Sequence, residues 1–568
     1  MKKLIPVILF LWATQLAWGQ SDEYRTLTIF FTNDVHGGIV PQKAEFLNPD
    51  FPPMLGGGAS AAAIIKKVRQ QAQAKGNPVL LIDAGDTFQG TLVGTLSKGR
   101  AVVEYMNMMH YDAVTPGNHD FDLGKDNLSE LIQMSRFPWV SANIYDTRTG
   151  EPWKWLKPYV IIEKEGMRIG ITGVTTTGTA HMSYPENIKG LEFRNEIISL
   201  QAAVDSLRSR GVDLVVALVH TGLPYDPKEG YRKLRQSTRA QVINRGHINA
   251  MEIAHYVKGI DILLGGHLHK GYPQPWEDPV NHTICLQNYA NGGNLGWVDF
   301  TIHWQTKTIA GYHLPVDQND LLLLQEDQFW PDSVVAAFLA EQEAKYEKGY
   351  REVIGQASNS LTRSSVGEAP LNNLIADVMR ERSGADFAFM NFGGIRADIK
   401  AGPVTREDIF KVLPFGNEIV SFHCSGLFLK TIIERKVSGG SRGLVISGGK
   451  VIFNKNLPDG QRVVYMEVGG VPLEPDKIYR VATNDYLLEG NSGLYMLKDI
   501  PRSEVDFSGV KVGEALIDYF QKHSPVAGKV DGRWKRDNSA QPSEEWLKKF
   551  PPQVKTETNG ESEYRGGE

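Results

Sequence analysis

The chain has 568 residues, too many for one ordinary hydrophobic core, so two or more domains are expected. Apolar residues make up 41% of it and aromatic residues 10%, which is enough to build buried cores over most of its length. The formal net charge of −5 is small for this size and gives no sign of a nucleic-acid-binding patch, so no nucleic-acid partner is expected. Any phosphate recognition must therefore rest on a few placed arginines and on metals.

The N-terminal residues are typical of a signal peptide. A basic start (1–3) precedes an apolar run (4–12) and a small-x-small cleavage site (17–19). A membrane anchor is the alternative, but a transmembrane helix needs about 20 apolar residues, and polar side chains at 14 and 15 interrupt this run. We predict removal of residues 1–19, no stable membrane insertion, and a mature protein in a periplasm or outside the cell.

Between residue 26 and about residue 315, short β-branched runs alternate with helical stretches, which favours an α/β domain with both sheet faces covered. The predicted strands are 26–34, 79–86, 113–120, 168–174, 212–220 and 261–267, and two of the predicted helices are 59–76 and 196–211. The glycine-rich segment 56–60 lacks the spacing and the lysine of a phosphate-binding loop, so we interpret it as a tight turn that packs a helix onto the sheet.

A charged, alanine-rich segment, 331–355, is predicted to form an exposed connecting helix. Beyond it lies a predicted α+β domain with a helix at 371–382, and then a polar tail expected to be disordered, although Trp546 and Phe550 could dock locally. The predicted division is a signal peptide (1–19), a first domain (25–325), a connecting helix (326–351), a second domain (352–535) and a tail (536–568). Cys285 and Cys424 fall in different domains, so two free, buried thiols are expected.

Metal-binding side chains occur where the predicted strands end. In chain order they are Asp34, His36, Asp86, Asn118, His220, His267 and His269. Open α/β sheets place their sites at the carboxyl ends of the strands, so we expect these side chains to meet. A ligand set of nitrogen and oxygen suits Mn²⁺, Zn²⁺, Fe or Co²⁺ better than a thiolate zinc site. Nine other histidines are interpreted as surface or hydrogen-bonded core residues: His110, His181, His247, His255, His282, His303, His313, His423 and His523.

The ordered series D-x-H, G-D, G-N-H-D, H and G-H-x-H resembles the calcineurin-like metallophosphoesterases. The resemblance implies a four-layer β-sandwich flanked by helices and two divalent metal ions bridged by Asp86. One ion would be completed by Asp34, His36 and His269, and the other by Asn118, His220 and His267. A shared carboxylate holds two cations about 3.5–4 Å apart, a spacing that clamps a phosphoryl group during in-line displacement.

The same resemblance gives His119 a role at the transition state or at the leaving oxygen, with Asp122 orienting it. A protonated histidine held by a carboxylate suits general-acid catalysis. The alternative for Asp122 is that it only caps a turn.

Residues 352–535 resemble the C-terminal domain of the 5′-nucleotidases. The matching phrases are LNNLIADVMR (371–380), NFGGIR (391–396), LPFGN (413–417) and NDYLLEGNSG (484–493). The resemblance implies a substrate-binding domain, with Asn391, Arg396 and Arg363 among its contacts and the two arginines near the phosphate. A guanidinium gives the two-pronged phosphate hydrogen bonds that lysine cannot reproduce.

Phe415 and Tyr486 match two rings that sandwich the nucleobase, with core packing as the alternative. Each stacking contact is worth about 1–3 kcal/mol and tolerates different bases. The family usually has Gly-Gly-Asp-Gly after the second ring, and this chain has Gly490-Asn491-Ser492-Gly493 instead. Ser492 can hydrogen-bond a sugar hydroxyl but carries no charge, which puts ribose affinity in question.

These patterns predict an exported hydrolase that releases phosphate from nucleoside 5′-monophosphates and that could also accept UDP-sugars or nucleoside di- and triphosphates. A 2′,3′-cyclic-nucleotide phosphodiesterase/3′-nucleotidase and a non-catalytic nucleotide-binding protein are the alternatives. Because the metals and the base would sit on different domains, the domains must close over the nucleotide, with a hinge predicted near the end of the connecting helix. Metal identity and oligomeric state stay open.

Overall fold

The computed structural model describes residues 23–551 except 45, 49, 247, 316–320 and 439–442. The predicted signal peptide, His247 and residues 552–568 lie outside the described residues.

Two six-stranded sheets form the centre of the N-terminal half. The first has the spatial order Thr308–His313, Asn294–His303, Tyr24–Thr32, Val79–Asp83 and Ala113–Val114. Its sixth strand, Leu322–Leu323, pairs with Asn294–His303 outside this order. The second has the order Trp276–Glu277, Ile284–Leu286, Ile262–Gly265, Leu214–His220, Met167–Thr175 and Tyr159–Lys164. The strands that carry the predicted ligands are parallel neighbours, so their carboxyl ends lie at one edge.

Alternating side chains divide the strands between two environments. Ile29 and Leu218 belong to the core between the two sheets, where they are fully buried. Their neighbours point outward, Phe30 towards one group of helices and Val219 towards another. The predicted four-layer arrangement, helices on both faces of a double sheet, is confirmed.

Ten helices of this half lie among the described residues. They are Gly57–Gln73, Leu92–Leu96, Arg100–Met109, Gly124–Met134, Thr179–Met182, Glu196–Ser209, Pro227–Leu234, Arg239–Arg245, Ala250–Tyr256 and Ser333–Tyr346. Short strand pairs join Gln42–Lys43 to Met54–Leu55 and Ile144–Asp146 to Leu191–Phe193.

The glycine-rich segment 56–60 is a packing turn, as predicted. Gly57 begins the first helix with a φ of +54°, and a Cβ built on Gly58 would lie 2.6 Å from the Tyr105 ring. Close packing therefore accounts for the small residues here.

The prediction of a strand over 113–120 was wrong in length. Only Ala113–Val114 pairs, and the chain then turns into a 3₁₀ helix, His119–Phe121. Pro116 has no N–H to donate to a ladder, and Gly117 fits directly against Asp86, so the segment bends towards the ligand edge instead of extending.

The connecting helix is shorter and more buried than predicted. It spans Ser333–Tyr346, and Val335 and Leu339 pack into the core beside the first helix. Only its remaining face is exposed, and the chain after it enters the strand Val353–Ala357.

The C-terminal half mixes antiparallel strands with packed helices, as an α+β domain does. Its larger sheet has the order Val445–Ser447, Phe387–Met390, Ile478–Asn484, Glu418–Ser425 and Val505–Lys511. A second sheet has the order Val471–Pro472, Val463–Val468, Gly449–Phe453 and Trp534–Arg536, and Val353–Ala357 pairs with Gly402–Thr405. The helices are Pro370–Ser383, Arg406–Val412, Gly426–Val437, Asp485–Leu488, Val512–His523 and Glu544–Lys549, with 3₁₀ turns at Phe392–Gly394, Tyr495–Asp499 and Arg502–Glu504.

The expectation of disorder from residue 536 onward was wrong for residues 536–551. Ser543 caps the helix Glu544–Lys549, and Trp546 and Phe550 are buried in the core of the C-terminal half. Aromatic rings four residues apart share one helix face, and that face docks here with the two rings in contact.

Cys285 and Cys424 are both buried and free, as expected. None of the helices in the described part of the chain combines the length and apolar character needed to cross a bilayer.

Candidate active site

Two groups of metal-binding side chains lie at the carboxyl edge of the sheets. The first is Asp34, His36 and His269, and the second is Asp86, His220 and His267. Within each group the ligand atoms lie within 4.8 Å of one another. In the first group, His36 Nε2 and His269 Nε2 are only 2.9 Å apart, a separation suited to two donors that share one ion.

Asp86, the carboxylate of the second group, also faces the first group. Its Oδ1 accepts a hydrogen bond from the His119 backbone N–H at 2.8 Å. Its Oδ2 is buried without a hydrogen-bond partner of good geometry, 3.1 Å from His220 Nε2 and 3.8 Å from His36 Nε2. One oxygen is thus held by the backbone while the other faces a donor from each group.

Asn118 joins the second group through its amide oxygen. That oxygen lies 3.1 Å from His220 Nε2 and 2.9 Å from His267 Nδ1. The side chain is buried, at the N-terminus of the 3₁₀ helix His119–Phe121. All seven predicted ligands therefore converge at one place.

Backbone carbonyls orient two of the histidines. His36 Nδ1 lies 2.6 Å from the Gln89 oxygen, and His220 Nδ1 lies 2.7 Å from the Ala84 oxygen. Each Nδ1–H donates to its carbonyl, so Nε2 is the atom of each ring that is directed at the site. Such partners fix the tautomer and the ring orientation of metal-binding histidines.

The ligand loops hold a strained backbone. Twelve non-glycine residues in the described part of the chain have a positive φ, and five of them are predicted ligands: Asp34, His36, Asp86, His267 and His269. This left-handed region costs a residue with a side chain about 1–2 kcal/mol. Strain of this kind persists only where the surroundings hold it, and it clusters at functional sites.

The charges at the site favour cations. Burial lowers the pKa of His267 to about 3 and, with help from Arg396, that of His269 to about 4, so both rings are neutral and can offer lone pairs. Burial would raise the pKa of Asp86, but His220 and the neighbouring histidines hold it well below its usual range. Burial lowers the pKa of His220, but Asp86 more than offsets this and raises it to about 10, so a cation that binds here would displace the His220 proton. Carboxylate and imidazole groups of this kind are donors that divalent cations prefer.

Asp120 fixes the loop that carries Asp86, and the sequence analysis passed over it. Its buried carboxylate accepts four hydrogen bonds: from the N–H groups of Asp86, Thr87 and Gly117 and from the Thr87 hydroxyl, at 2.7–3.0 Å. Its place in the G-N-H-D phrase, beside His119, was the available clue. Asn33 acts similarly for Asp34, donating to Asp34 Oδ2 at 2.7 Å.

His119 and Asp122 form the predicted pair. His119 Nδ1 lies 2.7 Å from Asp122 Oδ2, and a quarter of the His119 side chain remains exposed towards the cleft. Burial lowers the pKa of His119, but the Asp122 and Asp86 carboxylates more than offset this and raise the pKa to about 9. The ring is therefore protonated at neutral pH and holds a proton on Nε2.

The C-terminal half places an aromatic ring and an arginine against this pair. The Phe415 ring stacks on His119 with a centroid distance of 5.6 Å and an angle of 17°. The Arg396 guanidinium lies 5.7 Å from the centre of the Phe415 ring. Desolvation and nearby Arg363 lower the pKa of Arg396 while Asp86 raises it, so Arg396 lies within electrostatic reach of both Arg363 and the Asp86 carboxylate.

The other predicted substrate residues line loops of the same half. Asn391 is buried and accepts a hydrogen bond from Asn484 Nδ2 at 3.3 Å. Tyr486 lies on the helix Asp485–Leu488, half-buried. Ser492 adopts a φ of +53°, and its carbonyl accepts a hydrogen bond from Lys436. Asn491 is buried and its side-chain amide donates to the Tyr486 carbonyl at 2.9 Å, so it holds the backbone that carries the Tyr486 ring.

Two residues that join the halves escaped the sequence analysis. Gln89 Nε2 donates to the Pro414 carbonyl at 3.2 Å, and the Tyr184 hydroxyl donates to Asp485 Oδ1 at 2.8 Å. Contacts between separate domains leave no periodic pattern in a sequence, so no motif could have identified either one.

The remaining histidines in the described part of the chain lie outside both ligand groups. His255 pairs with Asp278, His282 with Glu277 and His303 with Glu23, and His523 packs on Tyr519.

Two family models match the chain, and they divide it between the two halves. A model described as calcineurin-like phosphoesterase matches residues 27–271, and one described as 5′-nucleotidase, C-terminal domain, matches residues 353–499. A snake venom 5′-nucleotidase from Naja atra is 30% identical over 563 residues, which cover 89% of this chain and 98% of the venom protein. The chain belongs to the 5′-nucleotidase family.

Other 5′-nucleotidases align at similar levels. A 5′-nucleotidase from Vibrio parahaemolyticus is 28% identical over 532 residues, covering 90% of this chain and 91% of its own length. The crystal structure of a 5′-nucleotidase precursor from Thermus thermophilus matches with a TM-score of 0.75 and 28% identity, over 91% of this chain and all of that one. As a member of the 5′-nucleotidase family with a phosphoesterase domain, the protein is an enzyme, a hydrolase of phosphoric monoesters.

Proposed function

We propose that the protein releases phosphate from nucleoside 5′-monophosphates with two divalent cations, held by the two ligand groups around Asp86. The observation that carries this proposal is the Phe415 ring stacked on His119, beside the bridging carboxylate. An aromatic surface for a base thus lies next to the phosphoesterase ligands. The 5′-nucleotidases that the chain resembles over nine-tenths of its length support the same substrate class.

The seven-ligand set fits two divalent ions, because it combines imidazoles, an amide oxygen and a buried carboxylate oxygen that has no hydrogen-bond partner of good geometry. Such ions supply hydroxide near neutral pH and neutralise charge on the phosphate oxygens. We propose Asp34, His36 and His269 for one ion, Asn118, His220 and His267 for the other, and Asp86 for both. Mn, Zn, Co and Fe all suit this set.

The chain's own residues provide the remaining chemistry. His119 holds a proton that it can donate to the leaving 5′ oxygen, and Asp122 keeps the imidazolium in place. Arg396 and Arg363 bind the phosphate oxygens, and Phe415 and Tyr486 hold the base between them. Asn391 and Ser492 complete the substrate contacts, and Ser492 takes the place of a charged sugar ligand.

We place the enzyme in a periplasm or outside the cell, because residues 1–19 have the pattern of an export signal. Nucleotides cross membranes poorly, whereas nucleosides are readily transported, so an exported phosphatase of this kind would serve nucleotide catabolism.

A phosphate-release screen in Mn²⁺, Zn²⁺ and Co²⁺ tests the proposal. It compares AMP with 3′-AMP, 2′,3′-cyclic AMP, UDP-glucose and a plain sugar phosphate at equal concentrations. We expect AMP to have the highest kcat/KM. A preference for the sugar phosphate would refute base recognition by the C-terminal half. A preference for 2′,3′-cyclic AMP or 3′-AMP would instead indicate a 2′,3′-cyclic-nucleotide phosphodiesterase/3′-nucleotidase. Phosphate release from UDP-glucose, measured with a coupled phosphatase, would extend the substrates to nucleotide sugars.

A further inference from the structure

The loop that carries Phe415 is held from both sides by the catalytic half. On one side, Gln89 Nε2 donates to the Pro414 carbonyl. On the other, Asn417 Nδ2 donates to the Tyr184 hydroxyl at 2.6 Å. Gln89 also presents its own carbonyl to the ligand His36, so this contact reaches the metal ligands directly.

The Tyr184 hydroxyl contacts both segments that carry a base-stacking ring. It accepts from Asn417, two residues after Phe415, and donates to Asp485 Oδ1, one residue before Tyr486. Asp485 Oδ1 also accepts from the Tyr486 N–H at 2.8 Å, which fixes the start of the Tyr486 helix. The Tyr184 ring meets the Tyr486 ring edge-on at 6.4 Å.

The segment around Tyr184 is also tied to the His119–Asp122 pair. Asn187 N–H donates to the Tyr184 carbonyl at 2.9 Å, and Asn187 Nδ2 donates to the Asp122 carbonyl at 2.8 Å. A short path of hydrogen bonds therefore runs from the backbone of Asp122 through Asn187 and Tyr184 to the two stacking segments.

This junction is shielded from water. Tyr184, Asn417 and Asp485 are all half-buried, and burial together with Asp485 raises the pKa of Tyr184 well above its usual range. A hydrogen bond to a carboxylate in such a place is stronger than one at an exposed surface.

We infer that Tyr184 is a positioning residue whose hydroxyl docks the substrate-binding half on the catalytic half and so sets Phe415 and Tyr486 relative to His119. The consequence for catalysis rests on the proposed function, because it assumes that these rings bind the base. The docking itself is independent of any substrate.

Distances between spin labels test the docking. Labels on the exposed positions Glu163→Cys and Val471→Cys place one probe in each half, and the native cysteines are buried, which favours labelling at the introduced sites. In the metal-loaded protein without nucleotide, Tyr184→Phe should shift or broaden the distribution of label distances. Tyr256→Phe is the matched control, because its hydroxyl donates to Ser237 within the catalytic half, and it should leave the distribution unchanged. An unaltered distribution in Tyr184→Phe overturns the inference.

Kinetics test the consequence. A hydrogen bond to a charged partner is worth at least about tenfold in an equilibrium constant, so Tyr184→Phe should raise the KM for AMP about tenfold. Its kcat should change less, and its metal content and melting temperature should match those of Tyr256→Phe. A KM equal to that of the parent enzyme, or a loss of metal, would show that Tyr184 does not act by positioning.

The two arms separate failure of this inference from failure of the proposed function. If the parent enzyme releases no phosphate from nucleotides, the proposed function falls, while the label distances still decide whether Tyr184 docks the halves. If the parent enzyme is active and the distances do not respond, the inference alone falls.

Discussion

Replacing Asp120 with Asn should damage the metal site without touching a ligand. The side chains have the same shape, but the Asp120 carboxylate accepts four hydrogen bonds, from three backbone N–H groups and one hydroxyl. The amide oxygen of Asn can accept on one side only, and its NH₂ group would face two further donors. The loop that holds Asp86 at a φ of +59° would then lose half of its support.

The size of the effect follows from the two donors that lose their acceptor. A buried donor without a partner costs about 1–3 kcal/mol, so the catalytic half should be destabilised by about 2–6 kcal/mol. Relaxation of the strained Asp86 backbone would also move its carboxylate away from His36 and His220. Metal affinity should therefore fall together with stability.

Urea unfolding and metal analysis after dialysis measure the two effects. Asp122→Asn is the matched control, because Asp122 is a carboxylate two residues away that contacts His119 and not the ligand loop. We expect Asp122→Asn to lower kcat while keeping metal content and unfolding midpoint. If Asp120→Asn keeps the metal content and the unfolding midpoint of the parent enzyme, the role given to Asp120 is refuted.

Three further results are expected. His119→Ala should lower kcat by about 10²–10⁴-fold and leave the metal content intact, as measured by phosphate release and metal analysis; undiminished hydrolysis would remove His119 from the mechanism. Phe415→Ala and Tyr486→Ala should each raise the KM for AMP by about 5–150-fold, equivalent to 1–3 kcal/mol per ring, and unchanged constants would exclude base stacking. With metals removed by a chelator, the free energy of unfolding of His36→Gly should exceed that of His36→Ala by up to about 1 kcal/mol, because glycine adopts the left-handed backbone without strain. Urea unfolding of both variants measures this difference, and the opposite order would contradict the strain argument.

The residue pattern was sufficient to predict an α/β domain with covered sheet faces and the identity of its ligand edge, and the resemblance supplied the four-layer sandwich. Parallel strands bring their carboxyl ends together, so ligands as distant along the chain as Asp34 and His269 could be assigned to one place from strand positions and residue types. The pairing of ligands into two groups was not a matter of pattern, and the resemblance supplied it. Most of the predicted strand and helix bounds in the first domain, taken from β-branched runs and helical patterns, lie within a few residues of those observed, and the strand predicted over 113–120 is the exception.

The unpredicted features depend on contacts distant in sequence. Tyr184 lies in an irregular segment after a short helix, and its importance comes from Asn417 and Asp485, more than 200 residues away. The order of residues 536–551 has a related cause, because this short polar segment is held by burying Trp546 and Phe550, the two rings expected to dock locally, on an existing core. Local composition carries no record of such a surface.

The position of the strain at the ligand edge has a chemical cause. Glycines next to the ligands, such as Gly37 and Gly85, already adopt positive φ values, and glycine would be the easiest residue at the strained ligand positions too. Glycine has no side chain to bind a metal, so the five strained ligands keep a conformation that costs each of them free energy. Buried supports such as Asp120 and Asn33 hold that conformation from behind. An edge built in this way is preorganised, and the cost of ordering the ligands is met during folding rather than when phosphate binds.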